Sequence, residues 1–330
     1  MKSKKVKALG LSSGGLDSIL AALVLKEQGI DVTWISFVTP FFSADNAKKA
    51  SESTGIPLII EDITDDYLIM LHNPKAGYGK NMNPCMDCHT MMFNKAGEYI
   101  LRKEYDFLFS GEVSGQRPFS QRKQALRYVE KHSGFDGSIL RPLSAKNLPI
   151  TKVEESGLVD REQLLNITGR GRKIQIALAK KYGIKDYPSP AGGCLLTDIG
   201  YSKRLRDLFE NTEYTKRDLN LLRYGRQFRV NGTKIILGRS KEENENIESY
   251  YSKKDDILIR LETFPGPGTL ITEEISKETL VIAGEICVAY AKIKAEEEIP
   301  ITIISPSGKE TFTVKNRPVS DFAEFLIGNL

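Results

Sequence analysis

Ser13-Gly14-Gly15-Leu16-Asp17-Ser18 is the stretch of sequence that decides the fold. A short apolar run over residues 6–11 precedes it, and residues 17–28 follow with the apolar spacing of a helix. The two glycines allow a tight turn that brings several backbone N–H groups to one concave face, and Ser13 and Ser18 add hydroxyl donors. A strand, a glycine loop and a helix N-terminus in this order are typical of a binding site for phosphate or pyrophosphate.

The chain around this loop alternates short strands with helices. Strands are predicted at residues 6–11, 32–38, 57–60 and 105–110, and helices at residues 17–28, 46–54, 91–103 and 164–182. Such alternation predicts an α/β fold in which a parallel sheet carries helices on both faces. The loop follows the first strand, so we expect it at the carboxyl edge of that sheet.

The pattern changes after about residue 210, where strands succeed one another. Asn231-Gly232 between two apolar runs is a strong signal for a two-residue hairpin. Two domains are therefore predicted, an α/β domain over residues 1–210 and a smaller, β-rich α+β domain over residues 211–330, as a length of 330 residues also suggests. The strands of the second are predicted at residues 226–230, 233–237, 256–262, 279–287, 299–304 and 311–314, before a terminal helix near residues 319–327.

Composition excludes several classes of protein. With 40% apolar and 27% charged residues the chain is neither disordered nor a membrane bundle. Four cysteines, Cys85, Cys88, Cys194 and Cys287, are too few for a secreted disulfide scaffold. The basic start has no signal-type apolar segment behind it, and no apolar run reaches the length of about 18 residues that a membrane span requires. We therefore expect a cytoplasmic protein without a membrane partner.

The net charge of +4 conceals a strongly basic block. Residues 170–239 hold 16 basic and 6 acidic side chains, whereas residues 240–330 hold 10 basic and 17 acidic ones. A block of this kind indicates a polyanionic partner such as nucleic acid. A solvated surface that the acidic end balances in space is an equally good interpretation of charge alone.

Three of the cysteines are candidates for chemistry. Cys85 and Cys88 form a Cys-x-x-Cys motif. Cys194 follows Ala191-Gly192-Gly193, and glycines let other groups approach the backbone closely, which suits a ligand or a reactive thiol. Three thiolates are one short of a structural zinc site, which His89 could complete. They also suffice for a 4Fe–4S cluster with one open iron, and Cys88 and Cys194 could instead form a persulfide and resolving pair. Cys287 lies in an apolar run and is expected to be a core thiol.

The glycine loop is neither a Walker loop nor a dinucleotide fingerprint, and it resembles the SGGxDS signature of the PP-loop ATP pyrophosphatases. The resemblance implies cleavage of ATP between its α and β phosphates, transfer of AMP to a carbonyl or carboxylate oxygen, and displacement of AMP by a nucleophile. It places Asp17 near magnesium and adenine near Ser36, Phe37 and Val38. The implied ATP-binding loop consists of Ser12, Ser13, Gly14, Gly15, Leu16, Asp17 and Ser18.

The cysteines extend the resemblance to the PP-loop tRNA thiouridine synthetases of the ThiI and MnmA types. Asn83-Pro84 is followed by Cys85 where the MnmA-type Asn-Pro-Asp-x-x-Cys motif has aspartate, and Cys88 matches the motif cysteine. Cys194 is placed like the later cysteine of that type. Three cysteines are the pattern of the iron–sulfur-dependent tRNA thiolases, so the resemblance favours a cluster over a persulfide.

Other segments resemble parts of RNA-modifying and RNA-binding proteins. The stretch from residue 109 to Arg117 resembles the loop that faces ATP and the target uridine, which adds Gly111 and Glu112 to the ATP site and Arg117 to the RNA site. Residues 234–239 together with Phe264-Pro265-Gly266-Pro267-Gly268 are similar to the NFACT RNA-binding domain. The basic side chains expected to contact tRNA phosphates are Arg170, Arg172 and Lys173 in the helical part before residue 182, and Arg239 in the NFACT-like part.

Taken together, these resemblances predict an ATP-dependent tRNA sulfurtransferase that adenylates a uridine carbonyl oxygen and replaces it with sulfur, first at the 4-position. The implied cofactors are ATP, magnesium and a 4Fe–4S cluster on Cys85, Cys88 and Cys194, with Asp17 as a further catalytic residue. The implied partners are tRNA and a sulfur donor, either a cysteine desulfurase or inorganic sulfide, and a homodimer stays open.

Three alternatives stay open beside this prediction. One is a tRNA 2-thiouridine synthetase that uses a Cys88–Cys194 persulfide. The second is a PP-loop ligase or amidotransferase for a small molecule, with a zinc site. The third is a nucleic-acid-binding quality-control module whose ATP loop no longer functions.

Overall fold

The computed structural model of the chain describes residues 5–189, 193–211, 213–291, 293 and 298–328. It divides into two compact units, Met1–Thr197 and Asp198–Leu330. This boundary lies earlier than the predicted residue 210, because the helix over Ile199–Asn211 belongs to the second unit.

The first unit is built on a five-stranded parallel sheet. Its strands are β1 (Lys7–Leu11), β2 (Asp31–Val38), β3 (Leu58–Asp62), β4 (Phe107–Ser110) and β5 (Ile139–Leu140), in the order β3-β2-β1-β4-β5. All neighbouring strands are parallel, so their carboxyl ends lie at one edge. The strand order reverses between β1 and β4, and open α/β sheets bind ligands at such a point.

Helices cover both faces of this sheet. They are α1 (Leu16–Glu27), α2 (Asp45–Thr54), α3 (Thr64–His72), α4 (Cys85–Leu101), α5 (Lys123–His132), α6 (Lys152–Glu155) and α7 (Lys173–Lys181). On one face α1 packs with Trp34, Phe107 and Ala179 of α7 in a single core. Because crossovers are right-handed, the reversal of strand order puts α4 on the opposite face, where it contacts β1 and β4.

Two helices of the first unit differ from the prediction. The helix expected from residue 91 begins at Cys85, so the Cys-x-x-Cys lies on its first turn. The helix expected over residues 164–182 is limited to α7. Gly169 takes a left-handed φ of 81°, and Thr168 forms a bridge with Ser114, so the chain before α7 runs along the loop after β4.

The second unit is a separate six-stranded antiparallel sheet with helices α8 (Ile199–Asn211), α9 (Lys216–Leu221), α10 (Lys241–Glu248) and α11 (Lys277–Ala289). The hairpin predicted at Asn231-Gly232 is confirmed, and both residues have the positive φ, 48° and 84°, that its turn requires. The strands are β6 (Arg226–Val230), β7 (Thr233–Leu237), β8 (Ile257–Leu261), β9 (Thr269–Ile271), β10 (Glu298–Ser305) and β11 (Gly308–Lys315), in the order β11-β10-β8-β9-β7-β6.

The strand predicted at residues 279–287 is wrong, because this segment forms α11. The Ser276 hydroxyl accepts the N–H of Thr279 at 3.2 Å and caps the helix. The apolar residues of α11 pack on the sheet, where Cys287 is buried as expected of a core thiol. A continuous apolar run shows no period that separates a buried helix from a buried strand. The predicted terminal helix is a 3₁₀-helix over Val319–Phe325.

Within the described residues, no helix combines the length and the apolar character that crossing a lipid bilayer requires.

Candidate functional site

The glycine loop lies at the carboxyl end of β1 and is held by its own hydroxyl groups. The Ser12 hydroxyl accepts the N–H of Gly14 at 3.2 Å and donates to the Ser18 hydroxyl at 3.4 Å. The Ser18 hydroxyl in turn donates to the Gly15 carbonyl at 2.8 Å. Ser12 and Ser18 are buried, whereas Ser13 is exposed at the mouth of the loop. The loop therefore has a fixed shape.

Two glycines allow neighbouring backbone to pack tightly against this loop. Gly14 has a φ of 68°, and a Cβ there would stand 2.1 Å from the Asn46 backbone at the start of α2. A Cβ on Gly111, just after β4, would stand 2.4 Å from the Asp17 backbone. The Leu16 side chain is in the core, so only its backbone is available to a ligand. The result is a close-packed cradle where the strand order reverses.

Asp17 offers one free carboxylate oxygen in this cradle. Its Oδ2 accepts a hydrogen bond of 2.7 Å from Gln116 Nε2. Its Oδ1 is buried and has no hydrogen-bond partner among the described residues. A buried carboxylate oxygen without a partner is costly, and oxygen is the ligand that Mg²⁺ prefers. Asp17 therefore fits the magnesium that the loop implies.

The residues predicted to lie near adenine form the end of strand β2, which lies beside β1. The Ser12 N–H donates to the Ile35 carbonyl at 3.0 Å, which ties the glycine loop to β2. Ser36 and Phe37 are buried, and Val38 is half-buried. The strand end is thus adjacent to the loop, and Val38 has the most accessible side chain of the three.

Cys85 and Cys88 lie on the first turn of α4. At a spacing of three residues their side chains share one side of the helix. The Asn83 amide donates to the Cys85 sulfur at 3.1 Å. Both thiols are half-buried. The start of α4 therefore presents the pair on a shared surface.

Cys194 comes to the same place from far along the chain. It precedes a 3₁₀-turn over Leu195–Thr197, whose first N–H donates to the Phe41 carbonyl at 3.0 Å. The Asn81 amide donates to the Thr197 carbonyl at 2.7 Å. The loop before α4 and the loop after β2 thus hold the turn in position. The part of the predicted glycine segment at Ala191 and Gly192 lies outside the described residues.

Cys88 and Cys194 lie close enough to the other thiols for their protonation to be affected. Burial raises the pKa of Cys88 well above its ordinary value, and the neighbouring Cys194 and Cys85 raise it further. Burial raises the pKa of Cys194 to about 12, although Arg117 acts in the opposite direction. The buried Tyr67 hydroxyl hydrogen-bonds with Cys88. Burial therefore favours the protonated form of both thiols.

The cysteines do not form a recognisable metal site. Among the described residues, no group of three or more His, Cys, Asp or Glu side chains could hold a metal ion. His89 is not available as a fourth zinc ligand on its Nδ1 side, because this atom lies 2.8 Å from Glu112 Oε1. This arrangement supports neither the zinc interpretation nor the 4Fe–4S interpretation.

Glu112 belongs to a buried charge network behind the thiols. Its Oε2 accepts from Ser110 Oγ and from Arg141 Nε, both at 3.0 Å, and Arg141 Nη1 donates to Glu130 at 3.1 Å. Burial alone would raise the pKa of the Glu112 carboxyl, but Arg141 and His89 outweigh it and lower the pKa to about 2. The carboxylate is fully engaged, so at this position only the backbone is left for ATP.

The predicted RNA-binding side chains fall into two groups. Arg117, Arg170 and Lys173 are exposed in the first unit, and Arg172 is half-buried beside them. The hydrogen bond from the Gly169 N–H to the Ser114 carbonyl, 2.8 Å, brings the segment of Arg170 and Arg172 to the loop of Arg117. Arg239 lies in the second unit and forms an ion pair with Glu243.

Sequence reasoning missed several side chains of this site. Tyr67 lies in the middle of α3, and nothing in its local sequence marks it. Gln175 is fully buried and Arg141 is 3% exposed, although the basic patterns around them suggest surface residues. Gln116 lies next to Arg117 in a loop that the sequence did single out, and this was a usable signal.

Comparison with known proteins identifies relatives for both units. Residues 225–326 match the NFACT protein RNA binding domain, as the resemblance implied. The tRNA-specific 2-thiouridylase MnmA 1 of Fusobacterium nucleatum is 25% identical over 264 residues, 75% of this chain and 67% of that protein. The tRNA-specific 2-thiouridylase MnmA of Cytophaga hutchinsonii is 29% identical over 143 residues, 36% of this chain and 38% of that protein. The chain thus spans about two thirds of one relative and under two fifths of the other.

Among solved structures, the predicted subunit of tRNA methyltransferase from Methanocaldococcus jannaschii overlaps with a TM-score of 0.33 and 17% identity, over 53% of this chain and 76% of that one.

Proposed function

We propose that the chain is an ATP-dependent tRNA thiolase that replaces the 2-position carbonyl oxygen of a uridine with sulfur. The observation that carries this proposal is the adjacency of the glycine loop and the thiols. His89, next to Cys88 in sequence, contacts Glu112, and Gly111 beside it packs on the backbone of Asp17. Because Gly111 and Glu112 link Asp17 to the helix of Cys88, we take the glycine loop and the thiols to border one crevice.

The similarity to tRNA-specific 2-thiouridylases favours the 2-position over the 4-position that the sequence alone suggested. The match of residues 225–326 to an RNA-binding domain and the exposed Arg117, Arg170 and Lys173 support tRNA as the substrate. A cytoplasmic location is part of the same proposal. A small-molecule ligase would have no use for these features.

In the first half of the proposed reaction, the uridine oxygen attacks the α-phosphate of ATP and pyrophosphate leaves. The N–H groups of the glycine loop and the N-terminus of α1 bind the phosphates. Asp17 would hold magnesium through its free Oδ1, and the ion would supply positive charge against the phosphates. The uridine must leave its stack to reach the crevice.

In the second half, Cys194 carries a persulfide that a cysteine desulfurase supplies. Its terminal sulfur attacks the adenylated carbon, and AMP leaves with the bonding electron pair. Cys88 gives its proton to water, and its thiolate attacks the Cys194 sulfur, which forms a Cys88–Cys194 disulfide and leaves the sulfur on the base. A thiol reductant returns the disulfide to two thiols. Burial raises the pKa of both thiols, and two neighbours act against it: Arg117 on Cys194 and the Tyr67 hydroxyl on Cys88.

A three-cysteine cluster is the second candidate: the described residues form no ready-made metal site, but Cys85 is left without a role. Cys85 affects the protonation of Cys88 and Cys194, yet the persulfide scheme has no role for it. If the three thiols held a 4Fe–4S cluster, inorganic sulfide would be the natural sulfur donor. The two schemes differ in what they require of Cys85.

Four cysteine-to-alanine variants test both schemes, with anaerobically purified protein and mass spectrometry of the tRNA nucleosides. Cys88→Ala and Cys194→Ala should lose thiolation and still bind ATP. Cys85→Ala should keep thiolation under the persulfide scheme and lose it, with its iron, under the cluster scheme. Cys287→Ala is the matched control, because this buried thiol lies in the second unit. Full thiolation by Cys194→Ala would refute the proposal, and a 4-thiouridine product would refute its position.

A further inference from the structure

We propose that Gln116 and Gln175 form a relay that positions Asp17 for its cation and fixes the glycine loop to the basic start of α7. In this scheme Gln116 and Gln175 are positioning residues rather than ligands. The inference rests on the proposed function, because it takes Asp17 to bind the cation that accompanies ATP.

The relay consists of two hydrogen bonds in series. Gln116 Nε2 donates to Asp17 Oδ2 at 2.7 Å, and Gln175 Nε2 donates to Gln116 Oε1 at 3.0 Å. Both ends of the Gln116 amide are therefore engaged, which fixes its rotation. A donor to a carboxylate forms a stronger bond than one to a neutral group. The first bond consequently sets the rotamer of Asp17, and the second sets the orientation of Gln116.

The relay leaves one oxygen of Asp17 unused and directs it. Because Oδ2 is occupied, the buried Oδ1 is the oxygen that remains for a cation. The carboxylate is therefore oriented before the cation arrives. Partners that orient a ligating side chain in this way strengthen the binding of the metal.

The far end of the relay lies at the basic segment. Gln175 is fully buried two residues after Lys173, which begins α7, and Arg172 precedes that helix. The same segment is bound to the Gln116 loop by the Gly169 N–H and the Thr168 hydroxyl, which donate to the Ser114 carbonyl at 2.8 and 2.9 Å. The residues proposed to meet RNA phosphates are thus joined to Asp17 through the two hydrogen bonds of the relay and the backbone of α7.

Direct cation binding tests the relay. Mn²⁺ replaces Mg²⁺, and electron paramagnetic resonance measures free Mn²⁺ in the presence of a non-hydrolysable ATP analogue. Gln116→Met should raise the Mn²⁺ concentration for half-saturation about tenfold, because Asp17 loses its orienting donor. Gln175→Met should raise the half-saturation concentration about threefold, because the lost hydrogen bond joins two neutral groups and contacts Gln116 rather than Asp17. The double variant should match Gln116→Met, because Gln175 acts only through Gln116.

Gln163→Met is the control, because this exposed glutamine donates to Asp160 near the surface. With a chelator present to remove Mn²⁺, all variants should bind the ATP analogue with the same affinity. This measurement verifies that the glycine loop is intact. Wild-type Mn²⁺ binding in Gln116→Met, or additive effects in the double variant, would overturn the relay, as would a wild-type protein that binds no Mn²⁺ with the analogue. Wild-type protein that shows the expected Mn²⁺ pattern but thiolates no tRNA would overturn the proposed function and leave the relay standing.

Discussion

The two units use charge in opposite ways. The basic block divides between them, with 6 basic and 1 acidic residues over 170–197 and 10 basic and 5 acidic residues over 198–239. In the first unit Arg170 and Lys173 are exposed, and no salt bridge is found for either among the described residues. In the second unit Arg229 pairs with Asp207 and Glu273, and Arg239 pairs with Glu243.

This difference teaches that a count of basic residues does not locate an RNA surface. Both halves of the block have the same net charge. Among the described residues, salt bridges are found for three basic residues of the second half, Arg217, Arg229 and Arg239, and for Lys181 in the first. Charge that no acidic neighbour neutralises is what attracts phosphate most strongly. The first unit also concentrates buried charge at one place, the network of Arg141, Glu112 and Glu130.

The largest expected effect is the loss of folding stability in acid, where Glu112 of the buried network becomes protonated. The pKa of Glu112 is about 2 in the folded protein, below its ordinary 4.5. Its contribution to stability is therefore complete above pH 4.5 and is lost as the pH falls towards 2, by about 3 kcal/mol at most. Urea unfolding followed by the fluorescence of the single tryptophan, Trp34 in the core of the first unit, measures this loss at pH 5, 4 and 3.

Glu112→Gln is the matched variant for this experiment, because it removes the titrating group and keeps the side-chain shape. Its unfolding free energy should fall less between pH 5 and 3 than that of the wild type. If the unfolding free energies of the two proteins fell equally with pH, the buried network would not supply the acid-sensitive stability that distinguishes the first unit from the second.

The next effect concerns the paired arginines of the second unit. Arg229→Ala should lower the free energy of unfolding by about 2 kcal/mol, because it leaves Asp207 partly buried without its ion-pair partner. Far-UV circular dichroism during urea unfolding measures it. Affinity for tRNA should change less than about twofold, since this guanidinium is engaged within the fold. If Arg229→Ala instead weakened tRNA binding and left the stability unchanged, Arg229 would serve RNA binding rather than the stability of the second unit.

The smallest effect concerns the unpaired residues of the first unit. Arg170→Ala combined with Lys173→Ala should weaken tRNA binding about tenfold near 0.1 M salt and lower the salt dependence by about two counterions. Stability should be unchanged, because both side chains are exposed. Arg239→Ala is the control from the other unit and should bind tRNA like the wild type. If Arg239→Ala had the larger effect, the second unit would hold the main phosphate contact.

Local sequence was sufficient where one segment determines its own structure. The glycine loop with its flanking strand and helix and the hairpin at Asn231-Gly232 were predicted because turn geometry demands those residues. The apolar run of α11 was mistaken for a strand, since a buried helix and a buried strand both lack a polar face. The segment before α7 was mistaken for helix, because its bridge to Ser114 is a tertiary contact.

In the candidate site, too, only the residues that carry local motifs were predictable from the sequence. The loop and the cysteines carry motifs, and their roles stay predictions that the experiments above address. Tyr67, Gln175 and Arg141 gain their importance from neighbours distant in sequence, such as Cys88 for Tyr67. A single sequence carries no record of that proximity, so these side chains emerged only with the three-dimensional arrangement.

The close packing of Gly14 against Asn46 and of Gly111 against Asp17 has a further consequence. A loop held on both sides by backbone has little conformational entropy left to lose when a nucleotide arrives. Binding of ATP should then involve almost no ordering of the chain. The slow rearrangement in each turnover would fall on the RNA, whose uridine must unstack, rather than on the nucleotide site.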